Sequence, residues 1–257
     1  MSGLTVALFL VVLFFAMLVL TRIGRRVGKR RLAADPKSTT AGTSAVEGAV
    51  FALTTLLVAF TFAGAATRFN ARRELIVREA NAIQTAYLRL DLLPPQAQPE
   101  LREAFRRYLD SRLSVYEKIH DKAAALQALA RSNELQLELW RASMAALEQT
   151  NDPRAPLLLV PSLNEMIDIT TERTVALKTH LPVVIFALLA FLALACAFAA
   201  GHGMAKSSSP NRLHTVGFAG LVVLTLAVII DYEFPRFGLI RIDPVDKLLV
   251  DVREGMK

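Results

Sequence analysis

The sequence predicts an all-α polytopic membrane protein with four transmembrane helices and a helical soluble domain inserted between spans two and three. Three observations predict it. The 257 residues are 53% hydrophobic, but the apolar side chains fall into four runs flanking a charged middle instead of filling one core. The middle keeps apolar side chains at 3- and 4-residue spacing, the helical period. The second apolar run continues past the membrane interface without a breaker until Pro94-Pro95.

The first span is Leu4 to Leu20. No charged side chain precedes it and the basic residues follow it, an order that predicts a retained anchor and not a cleaved leader. A basic loop comes next, with Arg22, Arg25, Arg26, Lys29, Arg30, Arg31 and Lys37 against one acid, Asp35. The net charge of +7 concentrates here. No nucleic-acid motif accompanies it, so the excess points to membrane topology and anionic head groups, and membrane lipids are the expected partners.

The second span, Gly48 to Ala66, is uncharged and long enough to cross a hydrocarbon core of roughly 30 Å. From Thr67 to Leu92 there is no Pro or Gly and many helix formers. Span and extension together read as one helix of about 50 residues, some 75 Å long at about 1.5 Å per residue. Glu47, Thr54, Thr61 and Arg68 recur on it every seventh residue, with Arg72 and Glu79 close to the same line. A step of seven returns to within about 20° of one direction. In lipid, such a polar stripe turns toward other helices or a watery cavity. It lines a pore in a ring of subunits, or it packs within one subunit while the threonine hydroxyls bond back to their own helix.

The soluble part runs from Gln96 to Lys178. One helix opens at Pro99 and carries Leu101, Phe105, Tyr108, Leu109, Leu113 and Tyr116; another covers Ala123 to Leu147 with Trp140 as its bulkiest anchor. Arg154 to Pro161 reads as an apolar loop, and Ser162 with Glu165 as a capping box opening the next helix. The third span is about Leu181 to Ala200, the turn Gly201 to Asn211, and the fourth span Leu213 to Ile230. Tyr232, Phe234 and Phe237 then sit where an interfacial aromatic belt would. Asp243-Pro244 reads as an N-cap with Pro at N1, opening a short amphipathic tail helix. The expected boundaries are therefore 1–66 for two spans and the basic loop, 67–180 for the soluble domain, 181–231 for spans three and four, and 232–257 for the tail.

The motifs of common chemistries are missing from the sequence. His120, His180, His202 and His214 form no metal-ligand spacing, and no nucleophile elbow or phosphate loop occurs. The single cysteine, Cys196, lies within a span and allows no intrachain disulfide. No catalytic residue, cofactor or metal ligand is assigned, and the chain is not expected to be an enzyme.

Two segments carry a resemblance. Arg78-Glu79-Ala80-Asn81-Ala82-Ile83, with Tyr87, Leu93-Pro94 and Tyr108, resembles the EANA…Y…LP…Y pattern of the bestrophin-like membrane proteins. Asp231, Pro235, Gly238 and Ile242 resemble that family's D…P..G motif after the last span. The family is more distantly similar to the bestrophins, pentameric anion channels whose second span lines the pore and continues into the soluble domain. The resemblance implies a homo-oligomer, a pentamer, conducting small inorganic ions, in a multi-pass cell membrane setting such as the bacterial inner membrane. It implies pore-lining positions at Glu47, Phe51, Thr54, Thr61, Arg68 and Arg72, with Phe51, Phe60 and Phe62 as candidates for the narrow aromatic neck. Glu79, Asn81, Asp231, Pro235, Arg236 and Gly238 are expected to hold domain to membrane, with Arg72 or Arg236 as the partner of Glu79. A membrane-anchored interaction or sensor protein without conduction is the other reading. Charge on the short basic loop puts the soluble domain outside the cell; the resemblance, and Arg68, Arg72, Arg73 and Arg78 beside span two, put it inside.

Overall fold

The computed structural model describes residues 3–34, 41–119, 121–207, 212–236 and 238–256. Asp35, Lys37, His120, Phe237 and the end of the expected turn, 208–211, lie outside the described residues. Eight α-helices follow in order among them: α1 (Gly3–Ala34), α2 (Ala41–Leu88), α3 (Gln98–Glu117), α4 (Lys122–Leu147), α5 (Arg154–Lys178), α6 (Val183–Gly203), α7 (Arg212–Glu233) and α8 (Asp243–Gly255). The helices divide into two compact units, Met1–Phe69 with His180–Arg241, and Asn70–Thr179 with Ile242–Lys257. Among the described residues, four stretches are long and apolar enough to cross a membrane: Gly3–Ala34, Ser44–Leu92, Arg154–Lys206 and Arg212–Glu233.

The first unit is built on α1, α6, α7 and the first part of α2. Its core is Leu13, Met17, Ala65, Leu189, Ala193, Ala197, Ala219, Leu226 and Ile229. α1 and α6 approach closely because of glycine. A Cβ at Gly24 would stand 2.1 Å from the Phe198 carbonyl oxygen, and one at Gly201 would stand 2.0 Å from that of Thr21. The basic segment expected as a loop is instead helical: α1 runs on through Arg22 to Arg31. Arginine and lysine are good helix formers, and the first proline is Pro36.

The second unit is a soluble-type bundle whose fully buried side chains include Ile83, Leu90, Phe105, Tyr108, Leu109, Leu139, Leu159, Leu163 and Met166. α4 is capped by Asp121, whose carboxylate accepts from the backbone N–H of Ala123 and Ala124 at 3.0 and 3.1 Å. The expected loop Arg154–Pro161 is also helical, and Ser162 is no cap: inside α5, its hydroxyl donates to the Leu159 carbonyl at 2.7 Å. An interior proline such as Pro161 costs about 3 kcal/mol. Ala155, Leu159, Leu163 and Met166 recur at helical spacing and are all at most 1% exposed. At about 1.5–3 kcal/mol for each large side chain, their burial outweighs the proline. α8 begins at Asp243 itself, with Ile242 in the cap position.

Candidate functional site

α2 is an unbroken helix of 48 residues, as its composition predicts. Within the first unit, its polar stripe meets other helices of the same chain. Glu47 Oε1 lies 2.9 Å from His202 Nδ1 on α6. Thr54 donates its hydroxyl to the Val50 carbonyl at 2.7 Å and contacts Cys196 Sγ on α6 at 3.2 Å. Thr61 is buried, and its hydroxyl donates to the Leu57 carbonyl at 2.7 Å. Phe51 packs edge-on against Phe218 of α7, ring centroids 6.1 Å apart. Phe62, like Phe69, packs edge-on against Tyr232.

Arg68 closes this series. Its Nε and Nη2 donate to Glu233 Oε2 at the end of α7, at 2.9 and 2.8 Å. The Glu233 side chain is fully buried, and its other oxygen accepts the Leu181 backbone N–H at 3.0 Å with His180 Nδ1 3.4 Å away. The segment after α7 is held by Asp231, whose Oδ2 accepts the backbone N–H groups of Leu239 and Ile240, both at 2.8 Å. A Cβ at Gly238 would lie 1.3 Å from Asp231 Oδ1, so only glycine lets the chain pass there. Pro235 and Arg236 are buried in the same turn.

The opposite face of α2 is largely left open by the described residues. Ala52, Thr55, Ala59, Ala63 and Thr67 recur at 3- and 4-residue spacing and all are exposed, interleaved with exposed Leu56 and Phe60.

Within the second unit, Arg72 is buried at the end of α5. Its Nε donates to the Ala176 carbonyl at 3.1 Å and its Nη2 to the Thr179 carbonyl at 2.7 Å. A cation there satisfies orphan carbonyls and complements the helix dipole. Glu79 is fully buried between Arg112 of α3 and Arg173 of α5, in place of the expected Arg72 or Arg236. Arg112 Nε donates to Glu79 Oε1 at 2.7 Å, and Arg173 bonds Oε2. Arg112 also bonds the Tyr116 hydroxyl, and Arg173 Nη2 reaches Asp246 of α8 at 3.3 Å. Burial pushes the Glu79 carboxyl up, but the two guanidiniums outweigh it and hold it below its ordinary range. Burial pushes the Tyr108 phenol up to about 12. Asn81 is exposed and lines a groove with Leu248, Asp251 and Val252 of α8.

Arg112, Arg173 and Glu233 escaped the sequence reading, though two of them left a signal. Arg112 continues the line Phe105, Tyr108, Leu109 on α3, and Arg173 continues Met166, Ile169, Thr170 on α5. A charge on an otherwise apolar helical face needs a buried partner, and Glu79 is that partner.

Four helices long and apolar enough to cross a membrane, the second running on unbroken into the bundle, define an all-helical protein of the membrane class. The Bestrophin-like domain matches residues 7–246, and the chain belongs to that family. Crystal structures of a bacterial bestrophin homologue from Klebsiella pneumoniae share the fold. One, of a point variant, superposes with a TM-score of 0.68 at 12% identity, covering 96% of this chain and 97% of that one. Another, phased on zinc, gives 0.62 at 13% identity, covering 95% and 98%. No curated protein matches the chain.

Proposed function

We propose that this protein is an oligomeric ion channel of the cell membrane that conducts small anions. Copies of the chain form a closed ring, a pentamer by resemblance to the bestrophins, with α2 nearest the axis. The observation that carries this reading is the open face of α2. Ala52, Thr55, Ala59, Ala63 and Thr67 are exposed on a helix whose other side is covered by its own chain. Small residues allow helices to converge around a narrow axis, and a pore wall must come from a face its own subunit leaves free. Glu47, Phe51, Thr54 and Arg68 are partly exposed but lie on the side that meets the chain's own helices, where Thr61 and Arg72 are buried, so the pore wall is assigned to the open face instead. Exposed Arg73, further along the same helix, adds positive potential for anions, while Arg78 beside it is paired with Glu172 at 2.9 Å.

The test is flux from chloride-loaded vesicles containing the purified protein, together with its oligomeric mass in detergent. Chloride efflux that falls when Ala59→Trp obstructs the axis, from a closed ring, is the expected result. A monomer, or no flux at any potential, would sink the reading. The membrane-anchored alternative is favoured by one observation: Thr54 and Thr61 satisfy their hydroxyls on their own helix. It requires no ring and no flux.

A further inference from the structure

A cleft of about 180 Å³ lies within the first unit, between α2, α6 and α7. Its walls are Phe51, Val58, Leu189, Ala193, Phe218 and Val222, and its polar atoms belong to Thr54, Thr55, Thr225 and Cys196. The direction of those hydroxyls decides what the cleft can hold. Thr54 donates to the Val50 carbonyl at 2.7 Å, Thr55 to the Phe51 carbonyl at 2.9 Å, and Thr225 to the Leu221 carbonyl at 2.9 Å. With the Thr54 proton so committed, the 3.2 Å contact between Thr54 and Cys196 has the thiol as donor. Each threonine oxygen keeps lone pairs, and none keeps a proton to give. An anion entering would shed its water and find no donor in return. A neutral O–H group would find acceptors.

Volume narrows the class further. An apolar cavity of about 150 Å³ takes up one benzene ring, so this cleft accommodates a single ring with one polar substituent. The edge-to-face pair Phe51–Phe218, with planes at 69°, presents ring surfaces for it. We propose that the cleft is a binding site for a small aromatic alcohol of the phenol class, whose ring packs on Phe51 and Phe218 and whose hydroxyl donates to a threonine oxygen. The site stands whether or not the chain conducts ions.

The probe is 4-fluorophenol, followed by fluorine NMR against the full-length protein in micelles, with 4-fluoroanisole as a ring of the same class that has no proton to donate. Saturable binding is expected, about tenfold tighter for the phenol than for the ether, as one hydrogen bond implies. Ala193→Phe or Val222→Phe, either of which fills the cleft, should abolish the saturable component for both probes. Thr225→Val, which removes an acceptor and keeps the shape, should narrow the difference between them and serves if neither filling variant folds. Equal binding of phenol and ether would mean an apolar occupant such as an acyl chain, and would overturn the proposal. So would binding unchanged by the filling variants.

Discussion

Arg68 places both Nε and Nη2 on one oxygen of Glu233, at 2.9 and 2.8 Å, and the glutamate side chain has no exposed surface. The pair joins the last turn of the apolar part of α2 to the end of α7. Breaking a buried pair by removing one partner costs about 3–5 kcal/mol, because the other charge stays behind uncompensated. Glu233→Gln is therefore expected to lower the thermal midpoint in detergent markedly. Arg68→Ala should cost more, since it strands a Glu233 carboxylate with no exposed surface on the Leu181 N–H and His180, whereas Glu233→Gln leaves an Arg68 side chain that is 29% exposed and can reach water. A double-mutant cycle measures the coupling, and additive losses would show that the two side chains do not depend on each other.

Glu79 is the corresponding buried charge in the second unit, between Arg112 and Arg173. The carboxyl is held below its ordinary value of 4.5 in the folded chain. The stability it contributes is therefore complete above about that value and is lost as pH falls through the folded one. Acid unfolding of the full chain should steepen in that range. Glu79→Gln should remove the steepening and, by leaving two guanidiniums buried against an uncharged amide, cost about 3–5 kcal/mol at neutral pH. An unchanged acid limb in the variant would rule this out.

The architecture was legible in the sequence because the bilayer and the helical period leave strong marks: four apolar runs, and no proline between Ser44 and Leu93. The two segments misread as loops share one cause. Arg22 to Arg31 carries Gly24 and Gly28, and Arg154 to Pro161 carries Pro156 and Pro161, local signals against helix that tertiary contact overrode: glycine-mediated approach in the first, burial of Leu159 and Leu163 in the second. The polar stripe was visible as a period, but a period cannot say which neighbour it meets. That Arg72 would end on the α5 carbonyls, and that Arg112 and Arg173 would converge on Glu79, depends on contacts between residues 33 to 107 positions apart.

Glycines at close approaches should separate cleanly from glycines in open space. Gly238→Ala is expected to dislodge Asp231 from the Leu239 and Ile240 N–H groups, at about 1–3 kcal/mol for polar groups left unmade. Among the described residues, Gly217 and Gly220 have nothing within 4 Å of where a Cβ would stand, and alanine there should be neutral or stabilising by up to about 1 kcal/mol, the helix-propensity difference. Thermal melts of the three variants decide this. A Gly238→Ala protein as stable as the parent would mean the turn can rearrange around its carboxylate.

The side of the membrane that holds the soluble-type unit can be read with one cysteine on a silent background. Cys196 is buried, so Cys196→Ser removes the native thiol at small cost in exposed chemistry. A new cysteine must be accessible. Ser132 is unsuitable because it is fully buried, whereas Gln149, just past the end of α4, is exposed. Charge on the short basic segment predicts that Gln149→Cys reacts with an impermeant maleimide in intact cells. Arg68, Arg72, Arg73 and Arg78 follow the second span and weigh the other way, so the outcome ranks two competing charge clusters. Because long domains cross largely regardless of their own charge, the short segment should win. Labelling only after the cells are broken would show that the arginines beyond span two set the topology instead.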